Sequence, residues 1–459
     1  MKYDTRIKIT RTFSKVLLLL LSINNYTYGW DCHFLLTYSA LKHSAKISKQ
    51  PDIPAETLEH FLIKERRGLA ETLAKNEEWL HHHFLNYPVL PTELSFKNPD
   101  PMTSIQVQFL KALRVNPTMK FPLFVQYPPG LKHRITKNPI EINQVILPEL
   151  LVVNNSINFS NLPLEEVAPG DLLSAMEIVT TATDEPDYGM DINLWENNSS
   201  WFGKMYGLGD QSYGNKTIIF SSQIPFHMGF YYESSIIYKL ASYLKRTYVE
   251  YRIYQYLNLS RFAFSTGHPY WGYRFLGWGL HYAQDLTQPY HATLSPNDST
   301  IRLLYVNALQ SIGIQGPAQK LVQLLTNRHS SLENYEYYFL KNLIETNDQN
   351  NATLEAIADF KNDKKYPRFT HSYPREIIAK ESHHFASSLD SIIKEAFPAK
   401  YVSDSDYIFY ETESSVNMLK LVEGNENQEL LNEKLNELLR NMGSHTRNIV
   451  EYTVSMSDE

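Results

Sequence analysis

The stretch HYAQDLTQPYHAT, residues 281–293, gathers two imidazoles and a carboxylate in a short span. His281 and Asp285 stand at i and i+4, a spacing that puts both on one face of a helix, one turn apart. Pro289 cannot continue that helix, because it lacks an amide N–H and its ring clashes with the preceding turn. The chain must turn there, and His291 is delivered just beyond the turn. Imidazole and carboxylate are good donors to zinc, which takes about four N, S or O ligands. A His and an Asp at this spacing can also simply pair. The stretch NRHSSLENYEYYF adds His329 and Glu333, again at i and i+4. Two such pairs with His291 point to a site for more than one metal ion. Several zinc ions with a bridging carboxylate suit phosphate-ester hydrolysis. One ion lowers the pKa of a water, while the others hold the phosphoryl oxygens and the leaving oxygen.

The elements that must position these groups are mainly helices. The chain has 459 residues, 43% hydrophobic and 20% charged, an ordinary globular balance. Residues 30–83 and 171–345 show apolar residues at three- and four-residue spacings, as helices do. Residues 87–170 are rich in proline and read as a loop-rich insertion, with a strand expected near Val145–Val153. Residues 346–459 read as a C-terminal helical extension packed on the catalytic domain (30–345). It ends in an amphipathic helix with Leu430, Leu431, Leu435, Leu438, Leu439 and Met442 on one stripe. The fold class is mainly α, a multi-helix domain.

The first 29 residues carry five basic residues, one acid and a short apolar run, Val16 to Ile23. That run is far short of the ~20 residues that span a bilayer. Thr27 and Gly29 suit a signal-peptidase site, so residues 1–29 are expected to be a cleaved signal peptide and Trp30 the first mature residue. The chain is then expected to be secreted or periplasmic, with no transmembrane segment. The formal charge of −7 becomes −11 once this +4 segment is removed. Such an acidic chain is a poor non-specific partner for nucleic acid. The one cysteine, Cys32, allows no intramolecular disulfide.

HYAQDLTQPYHA resembles the HxxxDxxQPxHA signature of the zinc-dependent phospholipases C, relatives of the fungal single-strand-specific nucleases. Further residues follow in the family's order. They are Trp30 after the expected cleavage site, His33 opening HFLLTYSAL, Asp187–Tyr188 in TDEPDYGMD, His227 in PFHMGFYYE, and His329–Glu333. The resemblance implies three zinc ions. Asp187, His227, His281 and Asp285 would hold one. Asp285 would bridge to a second, completed by Trp30 and His33. His291, His329 and Glu333 would hold the third. It implies hydrolysis of a glycerophospholipid at a membrane surface to diacylglycerol and a phosphorylated head group. Asp187 would orient or deprotonate the attacking water, and Tyr188 would face a choline ammonium by cation–π contact. The combination EPDYGMD with the long insertion resembles a longer bacterial, phosphatidylcholine-hydrolysing branch. The chain departs from the family in its length and in the short Trp30–His33 spacing, and Asp184 and Asp191 rival Asp187 as ligand.

Other residues read differently. His81, His82 and His83 are adjacent, cannot share one helix face, and read as surface or capping residues, as do His383 and His384. His268 reads as a loop residue near the site that is not a ligand. Cys32 reads as a small buried residue. Trp195, Trp201, Phe202 and Tyr206 read as a loop that touches lipid or packs. Two rival readings are a nuclease with the same metals and a non-enzymatic zinc-binding protein. A monomer is expected.

Overall fold

The computed structural model describes Trp30 and residues 32–84, 87–97, 102–127, 164–192, 194, 205–208, 224–240, 242–348, 350–409 and 416–455. Residues 1–29, the strand expected near Val145–Val153, and Trp195, Trp201 and Phe202 lie outside the described residues.

The main helices of the first half are α1 (His33–Leu41), α2 (Leu58–Lys64), α3 (Arg66–His83), α4 (Ile105–Leu113) and α5 (Ala175–Ala182). They are followed by α6 (Ser235–Leu240), α7 (Val249–Ser265), α8 (Pro269–Asp285), α9 (Pro289–Ala292) and α10 (Thr300–Ser311). The chain ends with α11 (Gly316–Thr346), α12 (Lys380–Ala396) and α13 (Gln428–Val454). Among the described residues, strands form only two short antiparallel pairs. β1 (Ile53–Pro54) pairs with β4 (Leu172–Leu173), and β2 (Phe124–Gln126) with β3 (Leu164–Glu166). The fold is mainly α.

Helix α8 is the axis of the molecule. Every residue from Tyr270 to Asp285 is buried, and a helix without a solvated face must be covered all round. α7 packs along it, and α5 and α13 cover other sides. Gly277 permits the close approach of α5. A Cβ there would lie 2.5 Å from the Ala182 Cβ and 2.7 Å from the Val179 carbonyl oxygen. α5 itself starts at a capping box, in which Ser174 and Glu177 each satisfy the other's backbone N–H.

The first and last described helices meet in one core. α13 packs against α1 and α8, and Arg447 donates to the carbonyls of Ala40 and Ile357. Leu431, Leu435, Leu438, Leu439 and Met442 are buried. Leu430, expected on the same stripe, is exposed, because it sits beside Leu431 and so points off the buried face. Five such side chains contribute roughly 1.5–3 kcal/mol each, more in sum than the ~2–5 kcal/mol typical of one disulfide.

The region read as an insertion is less peripheral than its prolines suggest. α4 buries Phe109, Leu110 and Leu113 in the main core. β2 carries the buried Gln126, which reaches the acidic turn described next.

Candidate metal centre

The segment TDEPDYGMD leaves α5 and folds into a buried 3-10 turn over Glu185–Tyr188. Its four acids go four ways. Asp184 accepts the Phe34 backbone N–H at 2.9 Å through Oδ1 and the Gln126 amide at 3.1 Å through Oδ2. Glu185 accepts from Arg274 Nε and from Trp278 Nε1, each at 2.8 Å. Asp191 accepts from Arg252 Nη2 and from the Tyr282 hydroxyl, each at 2.6 Å. Its Oδ2 lies 3.3 Å from His227 Nε2, so it stands one layer behind that imidazole. Asp187 turns to the imidazoles instead. Its Oδ1 is 3.5 Å from His281 Nε2 and makes no hydrogen bond, and its Oδ2 is 4.0 Å from His33 Nε2.

Three of the imidazoles are fixed from behind. A neutral imidazole donates through one nitrogen and accepts through the other. Gln284 sends its amide N–H groups to Thr37 and Thr446, which leaves its oxygen to accept from His33 Nδ1 at 2.9 Å. His281 Nδ1 donates to the Thr183 carbonyl at 2.8 Å, and His291 Nδ1 to the His227 carbonyl at 3.0 Å. These bonds fix the tautomer and point Nε2 inward, as outer partners do for metal-binding histidines. His227 is turned the other way, with Nδ1 inward, 2.6 Å from Asp285 Oδ2.

The inward atoms form three buried groups, each with its ligand atoms within 4.8 Å of one another. The groups are His33, His281 and Asp285; Asp187, His227 and His281; and His291, His329 and Glu333. Asp285 Oδ1 faces His33 Nε2 at 3.2 Å, while its Oδ2 faces His281 Nε2 at 3.2 Å. His227 Nδ1 and His281 Nε2 are 3.3 Å apart, and His329 Nε2 and Glu333 Oε1 are 3.0 Å apart. A tetrahedral ion with bonds of ~2.0–2.1 Å sets its ligand atoms about 3.3 Å apart. His33 Nε2, Asp285 Oδ1 and His329 Nε2 make no aligned hydrogen bond despite these near neighbours. Buried polar atoms left so are costly, and a shared cation removes that cost. The donor set therefore fits metal ions.

The signature's QP pair explains how the third group is assembled. Gln288 caps α9 by accepting the Tyr290 N–H, and Pro289 is the first residue of that short helix. The turn brings His291 against His329, with ring centroids 5.1 Å apart. Tyr290 donates to Asp390 on α12, which anchors the turn.

Charge separates the groups. Burial opposes the charged form of His33, yet the facing Asp285, helped by Asp187, raises it to about 9. Burial opposes His227 likewise, but Asp191 and Asp285 raise it to about 10. His281 is lowered to about 4, chiefly by burial, and burial also pushes His329 well below its ordinary value. Burial pushes Asp187 well above the carboxylate range, although His33 opposes the shift. Burial acts on Asp285 in the same sense, but His281 and His227 hold it well below.

The other expected residues fall in several places. Trp30 is buried, and its indole N–H donates to the Thr287 hydroxyl at 2.8 Å, at the end of the signature helix. Tyr188 is buried in the core, and its hydroxyl accepts from Gln126 at 3.0 Å. This packing suits support of the acidic turn better than contact with a head group. His268 is not near the centre. It precedes Pro269, at the far end of a 17-residue helix, about 25 Å from Asp285, and pairs with Glu56 and Glu65. Cys32 is half-buried and belongs to none of the three groups. His83 Nδ1 donates to the Trp79 carbonyl at 2.8 Å near the end of α3, a capping position. His383 shares a hydrogen bond with Thr293. Tyr206 does not face lipid: it is buried and donates to the Val115 carbonyl. The sequence does not mark Gln126, Thr183 or Arg252 as supporting residues, while Tyr282 and Gln284 carry one signal, their place inside the signature.

Compared with known protein families, curated proteins and solved structures, the chain matches none. The resemblance to zinc-dependent phospholipases C rests on the motif residues and their order.

Proposed function

We propose that this chain is an exported zinc-dependent phospholipase C. It would hydrolyse glycerophospholipids, phosphatidylcholine among them, to diacylglycerol and a phosphorylated head group. The observation that carries this reading is Asp285, whose two oxygens face different imidazoles amid three buried donor groups. Three zinc ions held there would supply a water of lowered pKa and positive charge against the phosphoryl and leaving oxygens. The Trp30 amine would complete the donors of the His33 group.

The chain's own residues do the positioning. Asp187, with one oxygen free of hydrogen bonds, would orient the attacking water and, once metal charge lowers its own proton affinity, take the water's proton. Gln284, Thr183 and Asp191 hold the imidazoles in the tautomer that leaves the inward nitrogen as a donor. The acidic balance of the chain disfavours a polyanionic nucleic acid at this site.

The test is metal analysis of the protein beginning at Trp30, paired with release assays on choline and ethanolamine lipids and on nucleotide esters. About three zinc ions per chain with faster turnover of the choline lipid are expected. Faster cleavage of single-stranded nucleic acid would favour a nuclease, and bound zinc without any phosphodiester turnover would favour a zinc-binding protein.

A further inference from the structure

One flank of the described surface gathers several exposed apolar side chains. On α10 and just beyond it, Ile301, Tyr305 and Ile312 are 78%, 63% and 72% exposed. Their spacing of four and then seven residues places them on one helical stripe. Ile314, and Ile236 on α6, are also exposed, and α6 packs against α10. A contiguous exposed apolar patch marks an interaction site more often than a single exposed residue does.

The two segments that carry this stripe are basic. Residues 234–249 and 299–332 contain Lys239, Lys245, Arg246, Arg302, Lys320 and Arg328 and no Asp or Glu. The whole chain, by contrast, has a net charge of −7. Arg302 and Lys320 meet Asp298 and Asp406 from outside these segments, while Arg328 is buried against Asp390. Lys239 and Lys245 are exposed.

The stripe also lies one layer from the metal centre. A small separate core of Met228, Phe230, Ile237 and Leu244 packs with Leu294 and Leu303. Met228 follows His227, Leu294 follows His291 by three residues, and Leu303 lies on α10 itself. Ile237 is the inward neighbour of the exposed Ile236.

We propose that the α6–α10 flank docks on a lipid surface carrying anionic head groups, with Ile301, Tyr305 and Ile312 entering the interface. An apolar helical face with a basic fringe is the pattern that lies in the plane of such an interface, and basic residues there favour anionic leaflets. The inference rests on the lipid-substrate reading above and adds where the surface sits.

The test compares the wild-type chain from Trp30, zinc-loaded, with the double variant Ile301→Glu, Ile312→Glu. Sedimentation is measured with vesicles of phosphatidylcholine alone and of an equimolar mixture with phosphatidylglycerol. The wild type is expected to bind the mixed vesicles more tightly, with binding that weakens as salt rises. The double variant is expected to lose roughly tenfold or more of that binding while keeping wild-type turnover of a soluble phosphorylcholine ester. Equal vesicle binding by both proteins, or no binding by the wild type, would overturn the proposal. So would a wild-type dimer that the double variant breaks, since the flank would then cover a second copy. Failure of the phospholipase reading shows separately, as absent turnover of the soluble ester, because vesicle binding needs no turnover. If the double variant fails to fold, Tyr305→Ser in the same binding assay decides the matter.

Discussion

The donor groups that share Asp285 differ from the group on α11. The first are crowded with acid: Asp187, Asp191 and Asp285 surround His33, His227 and His281. Without metal, protons on His33 and His227 take the place of a cation, which is why both titrate high. The third group has one carboxylate, Glu333, and burial keeps His329 neutral. The lesson is that similar donors can be preorganised in two ways. One uses a charge-balanced cluster in which metal must displace protons, and the other a pocket where burial already keeps the His329 imidazole unprotonated.

The comparison breaks most visibly at its two carboxylates. Asp285→Asn is expected to empty both groups that meet at Asp285 and to lower turnover by about a thousandfold or more, as loss of central charge stabilisation does. Glu333→Gln is expected to remove one metal ion and leave the others. Elemental analysis of the two purified variants reads both outcomes, and equal metal loss in the two would erase the distinction.

A smaller effect is expected one layer out. Gln284→Leu keeps the helix but takes away the acceptor of His33 Nδ1. Metal affinity at the Asp285-centred groups should fall roughly 10–100-fold, the usual scale for outer partners, while the α11 group keeps its affinity. Competition with a chromophoric chelator measures each.

The proton count sharpens the contrast further. At pH 7 the metal-free protein holds protons on His33 and His227, which ordinarily titrate near 6.5. Their charge pairing stabilises the metal-free fold fully below ~6.5, and that stability is lost as pH rises through about 9 and about 10. Metal binding must release these protons, so affinity at these groups should climb with pH across 7 to 9. Calorimetry in buffers of different ionisation enthalpy should find protons released as metal enters these groups.

The smallest effect tests a residue outside both regions. His268→Ala should leave turnover within about twofold, since α8 carries that residue about 25 Å from Asp285, yet lower the melting temperature by unpairing Glu65 and leaving Glu56 with His60 alone. A large loss of turnover with unchanged stability would contradict the placement.

Legibility in the sequence followed the range of the interaction. The pairs His281–Asp285 and His329–Glu333 were readable because helical spacing is a local rule, and the turn at Pro289 was readable for the same reason. The choice among Asp184, Asp187 and Asp191 was not. It depends on which of them meets Phe34, Arg252 or Tyr282, and these partners are far away in sequence. His268 lies close to the signature in sequence but far from it in space, because a straight helix separates its ends. Residues 87–170 looked peripheral because proline marks turns, but proline says nothing about whether the segments between turns are buried. Gln126 is the example: a polar residue on a short strand, legible only once its amide is seen between Asp184 and Tyr188.

One residue belongs to both regions. The His227 side chain enters the Asp285 cluster, while its backbone carbonyl holds His291 of the α11 group, and Gly229 N–H binds the His291 carbonyl. Any rotation of the 227–229 backbone therefore moves donors in both places at once. Filling one pocket removes conformational freedom that the other would otherwise have to lose. Occupancy should thus rise more steeply with metal concentration than independent sites allow, and by reciprocity each loaded pocket should slow release from its neighbour.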